Sequence, residues 1–272
     1  MVNHLKKNDE LVCVHTIEGE KEEGHEIPVP DVRSNKPVGV HQKDEGQTAF
    51  FQKLINANIG DKKISIAEPN EISLSLSISK KSRAVAADLK RKIIEIAKVS
   101  SDTLYSQEVR LAYDYLEEIQ KTIVFSYKSV ESFCNASIPE DYVYQKTNNK
   151  GIVESYGKRQ IERWINTSEK VSSILPEILK IEDPQSMGFW SDFKNLERIR
   201  NEIIHSKSSN SSEILSELFS EKIEEYLTSS LKLLEFFILK DPFNQIFPLG
   251  FGVSQIRVVS LDDASQIFEK VK

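Results

Sequence analysis

Short, broken hydrophobic runs occupy the chain up to about residue 80. The apolar run Leu11–Ile17 predicts a strand, and the Gly- and Pro-containing segment Glu18–Gly46 predicts a loop. Residues 47–58 have the pattern of a short helix. Apolar residues then alternate with polar ones on both sides of the turn signal Glu68-Pro69-Asn70, which predicts a hairpin. The alternating positions are Ile64, Ile66, Ile72, Leu74, Leu76 and Ile78.

The apolar positions change to the helical period after Ser82. A helix is predicted up to Val99, and Ser100-Ser101-Asp102 supplies its stop and the next N-cap. Further helices are predicted over about 103–136, 156–179 with a kink or restart at Pro176, 190–205, and, after a polar linker 206–212, up to Lys240. The large aromatic residues of these helices are assigned to the core: Trp164, Trp190, Phe236 and Phe237.

The tail has mixed character, with a strand predicted at Gln255–Val259 and a short helix at Asp262–Val271. The N-terminal strands are expected to pair with the tail strand in a small sheet. The pattern therefore predicts a mainly α protein in three segments: an α+β region over 1–100, a helical domain over 101–240, and an extension over 241–272 that packs on the first region.

Composition narrows the classes of function. The 272 residues are 39% hydrophobic and 29% charged, which allows a sizeable core. The net charge of -6 argues against a generally basic nucleic-acid coat, so RNA would have to meet a local basic patch. Two such patches exist, Lys80–Arg83 and Lys90–Lys92, although solvated helix faces are the more common role of such runs.

The sequence carries no motif of a metal site, a cofactor site or a membrane segment. Cys13 and Cys134 are far apart and lack Cys or His neighbours at ligand spacing, so we expect no disulfide framework and no metal. No phosphate-binding glycine loop or nucleophile elbow occurs, and we expect no cofactor. Residues 1–10 lack the apolar core of a signal peptide, and no segment approaches the roughly 18 apolar residues of a membrane helix. These features predict a cytoplasmic protein without a membrane partner.

The segment Arg200-Asn201-Glu202-Ile203-Ile204-His205 carries the candidate chemistry. RNA is cut without a metal when a base deprotonates the ribose 2'-hydroxyl, a cation stabilises the phosphorane and an acid protonates the leaving 5'-oxygen. His205 suits the proton transfers and Arg200 suits the phosphate charge, while Asn201 can hold the imidazole or a phosphate oxygen. Arg200 and His205 are about 140 degrees apart around a helix and do not share a face fully; a long arginine side chain would bridge part of that angle, and a second subunit would supply the rest.

The same residues also have a purely structural interpretation. A histidine near a helix C-terminus interacts favourably with the helix dipole, and an arginine beside an apolar stripe can pair with Glu197 or Glu202. Glu131 and Asn135, one turn apart on an earlier helix, either face the same cleft or form a polar pair at a helix end.

The segment Phe193–Lys207 resembles the signature helix of the HEPN superfamily, which carries Arg, a polar residue, at least three further residues and His. Two earlier segments, Ser126–Asn135 and Ser168–Pro176, are similar to the helices that precede it, and the resemblance covers roughly 103–240. It implies an all-α, HEPN-like bundle that forms a homodimer, and a metal-independent endoribonuclease in a toxin or antiphage system. Arg200 and His205 would be catalytic, with Asn201 in support.

The resemblance also bears on partners and control. The resemblance implies an RNA substrate and an antitoxin or defence partner protein. Toxins of this superfamily that are silenced by AMP transfer carry a tyrosine two residues after the histidine, where this chain has Lys207. Two alternatives are a non-catalytic HEPN module for dimerisation, sensing or adaptor contacts, and a helical adaptor in which the motif is accidental.

Overall fold

The computed structural model describes residues 9–18, 29, 31–98, 107–205, 211–251 and 254–264. The chain divides into two compact units, one of Met1–Ser73 with Ile238–Lys272 and the other of Leu74–Phe237. The predicted stop at Ser100-Ser101-Asp102, most of the linker 206–212, Lys207 and most of the tail helix 262–271 lie outside the described residues.

The first unit, here called the sheet unit, is built on a five-stranded mixed sheet. Its strands are β1 (Asp9–Glu18), β2 (Val38–Gln42), β3 (Gln47–Ile59), β4 (Lys62–Ala67) and β7 (Val258–Ser260). The order is β1-β3-β2-β7, β4 also pairs with β3, and every pairing is antiparallel except β2 with β7. Val38, Val40 and Phe50 are buried in this unit.

Gly39 marks a close approach between β2 and its neighbours. A Cβ atom at this position would lie 2.8 Å from Val258 Cγ2 and 2.9 Å from Phe50 Cε1. A glycine strand position often marks such an approach, because no side chain keeps the neighbours away. The tail strand β7 can therefore seat against β2 only because residue 39 lacks a side chain.

Lys36 fixes the tail segment that leads to β7. Its ammonium is buried and donates to the carbonyls of Pro242, Asn244 and Gln255 over 3.1, 2.9 and 2.9 Å. Burial lowers the pKa of Lys36 to about 8, and the negative charge of Asp241 opposes that shift. Three neutral oxygens thus hold a buried cation that joins parts of the chain more than 200 residues apart.

The second unit, here called the helical unit, consists of helices with one β-hairpin. Its helices are α1 (Glu71–Ala97), α2 (Gln107–Ser137), α3 (Lys158–Trp164), α4 (Thr167–Glu169), α5 (Leu175–Leu179), α6 (Trp190–Ile204), α7 (Ser211–Phe219) and α8 (Lys222–Lys240), the first and last of which extend into the residues of the sheet unit. A π-helical turn, Lys170–Ile174, joins α4 to α5, and a 3₁₀ turn spans Pro184–Ser186. The hairpin is β5 (Val143–Thr147) with β6 (Val153–Gly157).

The core of the helical unit forms around α2. Ile119, Ile123, Val130 and Phe133 recur at helical spacing and are buried, as the apolar stripe predicts. Further buried side chains come from the surrounding helices: Ile161, Val171, Ile174, Phe193, Leu196, Ile199, Leu233, Leu234 and Phe237.

The prediction of a mainly α or all-α protein is wrong, because the five-stranded sheet makes this an α+β fold. Two sheet strands fall where a helix or a loop was expected. Residues 47–58 belong to β3, in which Thr48, Phe50 and Gln52 are buried at alternate positions. A buried Thr and Gln disguised this period of two, because the pattern was sought among apolar residues only.

The hairpin prediction around Glu68-Pro69-Asn70 is wrong on its second side. Residues 72–78 open helix α1, and β4 pairs with β3 instead. After Ile72, the line of α1 that is buried consists of small residues at helical spacing: Ser75, Ser79, Ser82 and Ala86. The Ser79 hydroxyl donates to the Thr122 carbonyl of α2 at 3.2 Å. Of the alternating leucines and isoleucines only Ile72, at the start of this line, is buried, so a period of two was the wrong one to read here.

The single helix predicted over 156–179 is divided. The hairpin β5–β6 runs up to Gly157, and α3 ends before Asn166, whose side chain caps the next helix by accepting from the Glu169 amide at 2.7 Å. Asparagine at an N-cap competes with helix continuation, which explains the break. Pro176 lies at the start of α5, where the predicted restart occurs.

Other predictions are confirmed. Strand β1 covers Leu11–Ile17, α2 matches the second long helix within the described residues, and α6 spans Trp190–Ile204. The tail strand pairs with an N-terminal strand, as expected. Trp164, however, was assigned to the core and is 59% exposed. Within the described residues, no helix has the length and hydropathy required to cross a bilayer.

Candidate functional site

Helix α6 carries all three residues of the motif. Phe193, Leu196 and Ile199 bury one side of it in the helical unit, which fixes the directions of the remaining side chains. The helix ends at Ile204, and His205 is the C-cap residue, whose amide donates to the Asn201 carbonyl at 2.9 Å. The motif therefore occupies the last turn of a helix that is anchored along its length.

Arg200 lies across the helix interface with α2. Its guanidinium carbon is 5.0 Å from the ring centroid of Tyr127, a cation–π distance. One nitrogen is 3.8 Å from Oε2 of Glu131, and another donates to the Asn201 side-chain carbonyl at 3.0 Å. The Arg200 side chain keeps 25% of its surface exposed. The guanidinium is thus positioned by an aromatic face and a carboxylate, with donors left toward solvent.

Glu197 supports this arrangement from inside the protein. Its carboxylate is buried and accepts the Tyr127 hydroxyl at 2.8 Å, the Ser168 amide at 3.2 Å and the Ser168 hydroxyl at 2.8 Å. Lys194 forms an ion pair with it at 2.5 Å. Burial pushes the pKa of Glu197 upward, but hydrogen bonds from Lys194, Ser168 and Tyr127 outweigh burial and hold the pKa below its ordinary value. Glu197 is therefore an ionised brace: it fixes the hydroxyl end of the Tyr127 side chain.

His205 is exposed at the end of α6. Its side chain makes no hydrogen bond or ring contact with any residue that the structure describes. The described partners of Arg200 are Asn201, Glu131 and Tyr127, and His205 is not one of them. Asn201 is also exposed, and its side chain engages Arg200 rather than the imidazole. One chain thus holds Arg200 in place and presents His205 separately to solvent, in agreement with the separation of the two residues around the helix.

The two polar residues of α2 that were predicted as a pair have different partners. Glu131 faces Arg200, whereas the Asn135 side chain accepts from Lys170 at 2.9 Å. Lys170 is buried at the start of the π-helical turn and also donates to the Glu162 carbonyl at 3.1 Å. Burial lowers the pKa of Lys170. Asn135 therefore belongs to an internal contact that connects α2, the π turn and α3.

The sequence pattern missed Glu197 and Tyr127 as functional residues. Glu197 was considered as an ion-pair partner of Arg200, yet it is buried, whereas Asn201 and His205 on the same helix are exposed. Tyr127 was not among the predicted site residues. The available signal was the polar Ser168 in a helix that had to pack on α2, since buried donors require an acceptor.

A cavity lies apart from the motif, and the described residues form no metal site. An open cavity of about 390 Å³ is lined by Phe189, Thr228, Lys232 and the acidic residues Asp192, Glu224 and Glu225. That lining disfavours a phosphate group, and neither Arg200 nor His205 belongs to it. Among the described residues, no cluster of three or more His, Cys, Asp or Glu side chains is arranged to hold a metal.

Searches against protein-family models, curated proteins and solved structures find no match to this chain.

Proposed function

We propose that this protein is a metal-independent endoribonuclease of a toxin or antiphage defence system, acting in the cytoplasm on RNA. The proposal is supported by one observation above all: α6 holds a partly exposed Arg200 against Tyr127 and Glu131 and ends in an exposed His205. The resemblance of residues 193–207 to the HEPN signature helix supplies the chemistry that these groups would perform.

In the proposed reaction, a His205 imidazole removes the proton of the ribose 2'-hydroxyl, and the 2'-oxygen attacks the adjacent phosphorus. The bond to the 5'-oxygen breaks, a second proton donor protonates that oxygen, and a 2',3'-cyclic phosphate remains. Arg200 stabilises the charge on the phosphorane, and Asn201 orients the guanidinium. At 3.8 Å the contact of Arg200 with Glu131 is longer than a hydrogen bond, which leaves the guanidinium available to phosphate oxygens.

The need for two proton-transfer groups supports a homodimer. One chain presents one histidine at this position, and it lies at the end of α6 beside Ile204, which is 48% exposed. A two-fold pair of chains would bring two His205 imidazoles and two Arg200 guanidinium groups to one cleft, where one imidazole acts as base and the other as acid.

The test is RNA cleavage by the purified protein in EDTA, with His205→Ala and Arg200→Ala alongside. Because general acid–base catalysis contributes about 10²–10⁴-fold, we expect His205→Ala to lower the rate by that factor. Arg200→Ala should cost about 10²–10³-fold, as for loss of an electrostatic stabiliser. The products should end in 2',3'-cyclic phosphate. Lys222→Ala, a change at an exposed residue of α8, is the control and should cleave normally.

A second candidate function is a non-catalytic module that serves as a dimerisation, sensing or adaptor subunit for a partner defence protein. The contacts of Arg200 with Tyr127 and Glu131 favour it, because they give the arginine a structural role. Under this alternative the intact protein cleaves no RNA with any candidate trigger or partner, and His205→Ala leaves partner binding unchanged.

A further inference from the structure

Helix α3 combines an exposed tryptophan with two unpaired arginines. Trp164, its last residue, is 59% exposed, and Arg159 and Arg163 are both exposed. Neither arginine makes an ion pair or hydrogen bond with any residue in the described part of the chain. The two are spaced i, i+4 and therefore lie on one side of the helix, opposite the buried Ile161.

The exposure of these side chains does not come from a loosely held helix. Ile161 is fully buried, and the C-cap residue Ile165 is buried immediately after Trp164. At the other end, the Gly157 amide donates to the side-chain carbonyl of Gln160 at 2.9 Å. The Glu162 carbonyl accepts from the buried Lys170. The backbone of α3 is thus fixed at both ends and in the middle while its outer side chains face solvent.

Internal contacts place α3 near the motif helix. Arg200 pairs with Glu131 on α2, and Asn135 lies one turn further along the same helix. Asn135 binds Lys170, which binds the Glu162 carbonyl two residues before Trp164. Each of these links is a direct contact or one helical turn, so α3 lies within a few side-chain lengths of the motif helix.

We propose that Trp164, Arg159 and Arg163 form a binding surface for an unpaired stretch of RNA, with the indole stacked on a base and the guanidinium groups on phosphates. The inference rests on the proposed function, since RNA is the substrate there. A tryptophan ring stacks on any base, and arginine forks bind phosphate oxygens in pairs. In a chain of net charge -6, this supplies the local cationic patch that RNA binding requires.

A protein partner is less well matched to this surface. The cores of protein interfaces are apolar, whereas the other exposed residues between 158 and 166 are Arg159, Gln160, Arg163 and Asn166. Lys158, the remaining cation, is already paired with Glu140 at 3.1 Å. A single aromatic ring among polar and cationic side chains matches a nucleic-acid base and its flanking phosphates. It does not match the apolar surface of a protein partner as well.

The experiment measures binding of a fluorescein-labelled single-stranded 2'-O-methyl RNA of mixed sequence, which lacks the attacking hydroxyl and cannot be cleaved. We expect Trp164→Ala to weaken binding about tenfold, because stacking on an aromatic ring is lost. Trp164→Phe keeps a ring and should retain most of the affinity. The control Tyr113→Ala removes an equally exposed aromatic residue from α2 and should bind as the wild type does.

Salt dependence tests the arginines. The double variant Arg159→Ala/Arg163→Ala should reduce the slope of log affinity against log salt by about 1.4, as expected when two phosphate contacts to a single strand are lost. Arg110→Ala, at an exposed arginine of α2, is the matched control and should leave the slope unchanged.

Binding and cleavage separate this inference from the proposed function. If the wild type cleaves RNA but Trp164→Ala binds the oligonucleotide equally well, the binding surface is refuted and the ribonuclease stands. If binding depends on Trp164 and nothing cleaves, the surface stands and the ribonuclease falls. Absence of binding by the wild type overturns the surface, as does a change in oligomeric mass in Trp164→Ala with RNA affinity unaltered.

Discussion

The sheet unit and the helical unit each bury a charged side chain, but they satisfy it differently. Lys36 in the sheet unit donates to three backbone carbonyls of the tail segment. Glu197 in the helical unit accepts from side chains and an amide of two neighbouring helices and pairs with Lys194. The first holds distant parts of the chain together, and the second supports the ring on which Arg200 rests. A buried charge can therefore connect distant segments of the chain or fix the side chains of a candidate site. The identity of its hydrogen-bond partners shows which of the two roles it has.

The largest effect on stability is expected at Glu197. Glu197→Ala removes the acceptor of the buried Tyr127 hydroxyl and of the Ser168 amide and the ion-pair partner of Lys194, while the Ser168 hydroxyl keeps Asn166 as an acceptor, so the free energy of unfolding should fall by about 3 kcal/mol. Glu197→Gln keeps an acceptor oxygen and should lose less. Urea denaturation at pH 7 measures both, with the exposed Glu235→Ala as control. Equal stability of Glu197→Ala and the control would show that this network is not a brace.

The same residue gives an acid-dependent signal. Because the folded-state pKa of Glu197 lies below its ordinary value of 4.5, its contribution is complete above that value and is lost as pH falls through the folded-state pKa. The stability difference between wild type and Glu197→Gln should therefore shrink in acid. A difference that stays constant down to the folded-state pKa contradicts the ionised brace.

Lys36 should also make stability rise with pH, but at the alkaline end and for a different reason, because here the buried charge costs free energy. Its folded-state pKa is about 8 and its ordinary value is 10.5, so between these values the unfolded chain binds more protons and stability rises with pH. Relative to Lys36→Met, the wild type should gain about 2 kcal/mol between pH 7 and pH 10. Urea denaturation across this range tests it, with Lys43→Met at an exposed turn as control. A pH-independent difference would mean that burial of the ammonium has no cost.

A substitution at Gly39 tests how tightly β2 packs against Val258 of β7 and Phe50 of β3. A methyl group there meets Val258 and Phe50 at under 3 Å, so Gly39→Ala should lower the free energy of unfolding by about 1.5 kcal/mol. Val258→Ala should recover part of the loss in the double variant, because it removes the nearest obstructing atom. Additive losses in the double variant would place the strain elsewhere.

The smallest effects on stability are expected at the motif itself. Arg200→Ala removes a partly exposed cation–π contact and a long ion pair, which together should be worth about 1 kcal/mol. His205→Ala, at an exposed position without a side-chain partner among the described residues, should stay within about 0.5 kcal/mol. Thermal denaturation compares the two. A large loss for His205→Ala would make the histidine a structural residue and weaken the proposed chemistry.

Sequence patterns succeeded where apolar side chains alone decide burial. Helices α2 and α6 bury Ile, Leu, Val and Phe at helical spacing, and both were found with their approximate bounds. The patterns failed where small or polar residues occupy buried positions. Serines line the buried side of α1, and Thr48 and Gln52 alternate with Phe50 in β3, so counting apolar residues assigned both segments to the wrong element.

The candidate site was predictable only in its sequence-local part. The motif identified Arg200, Asn201 and His205 together on one helix end, and Glu131 was noted as a possible neighbour. The roles of Tyr127 and Glu197 depend on contacts between helices 70 residues apart, as the hydrogen bond that joins them shows. No spacing rule along the chain contains that information, because it depends on how α2 and α6 pack.

The pairing of β7 with β2 has a consequence for synthesis on the ribosome. The sheet unit takes its strands from segments that precede and follow the helical unit in the sequence. Residue 258 must therefore leave the ribosome before β2 can pair with β7. At about 5–20 residues per second, translation of the intervening segment takes on the order of ten seconds or more. Throughout that interval β2 has a free edge, a ready template for wrong pairing with other nascent chains. Chaperone demand during translation is therefore expected to fall on the N-terminal strands rather than on the helices made after them.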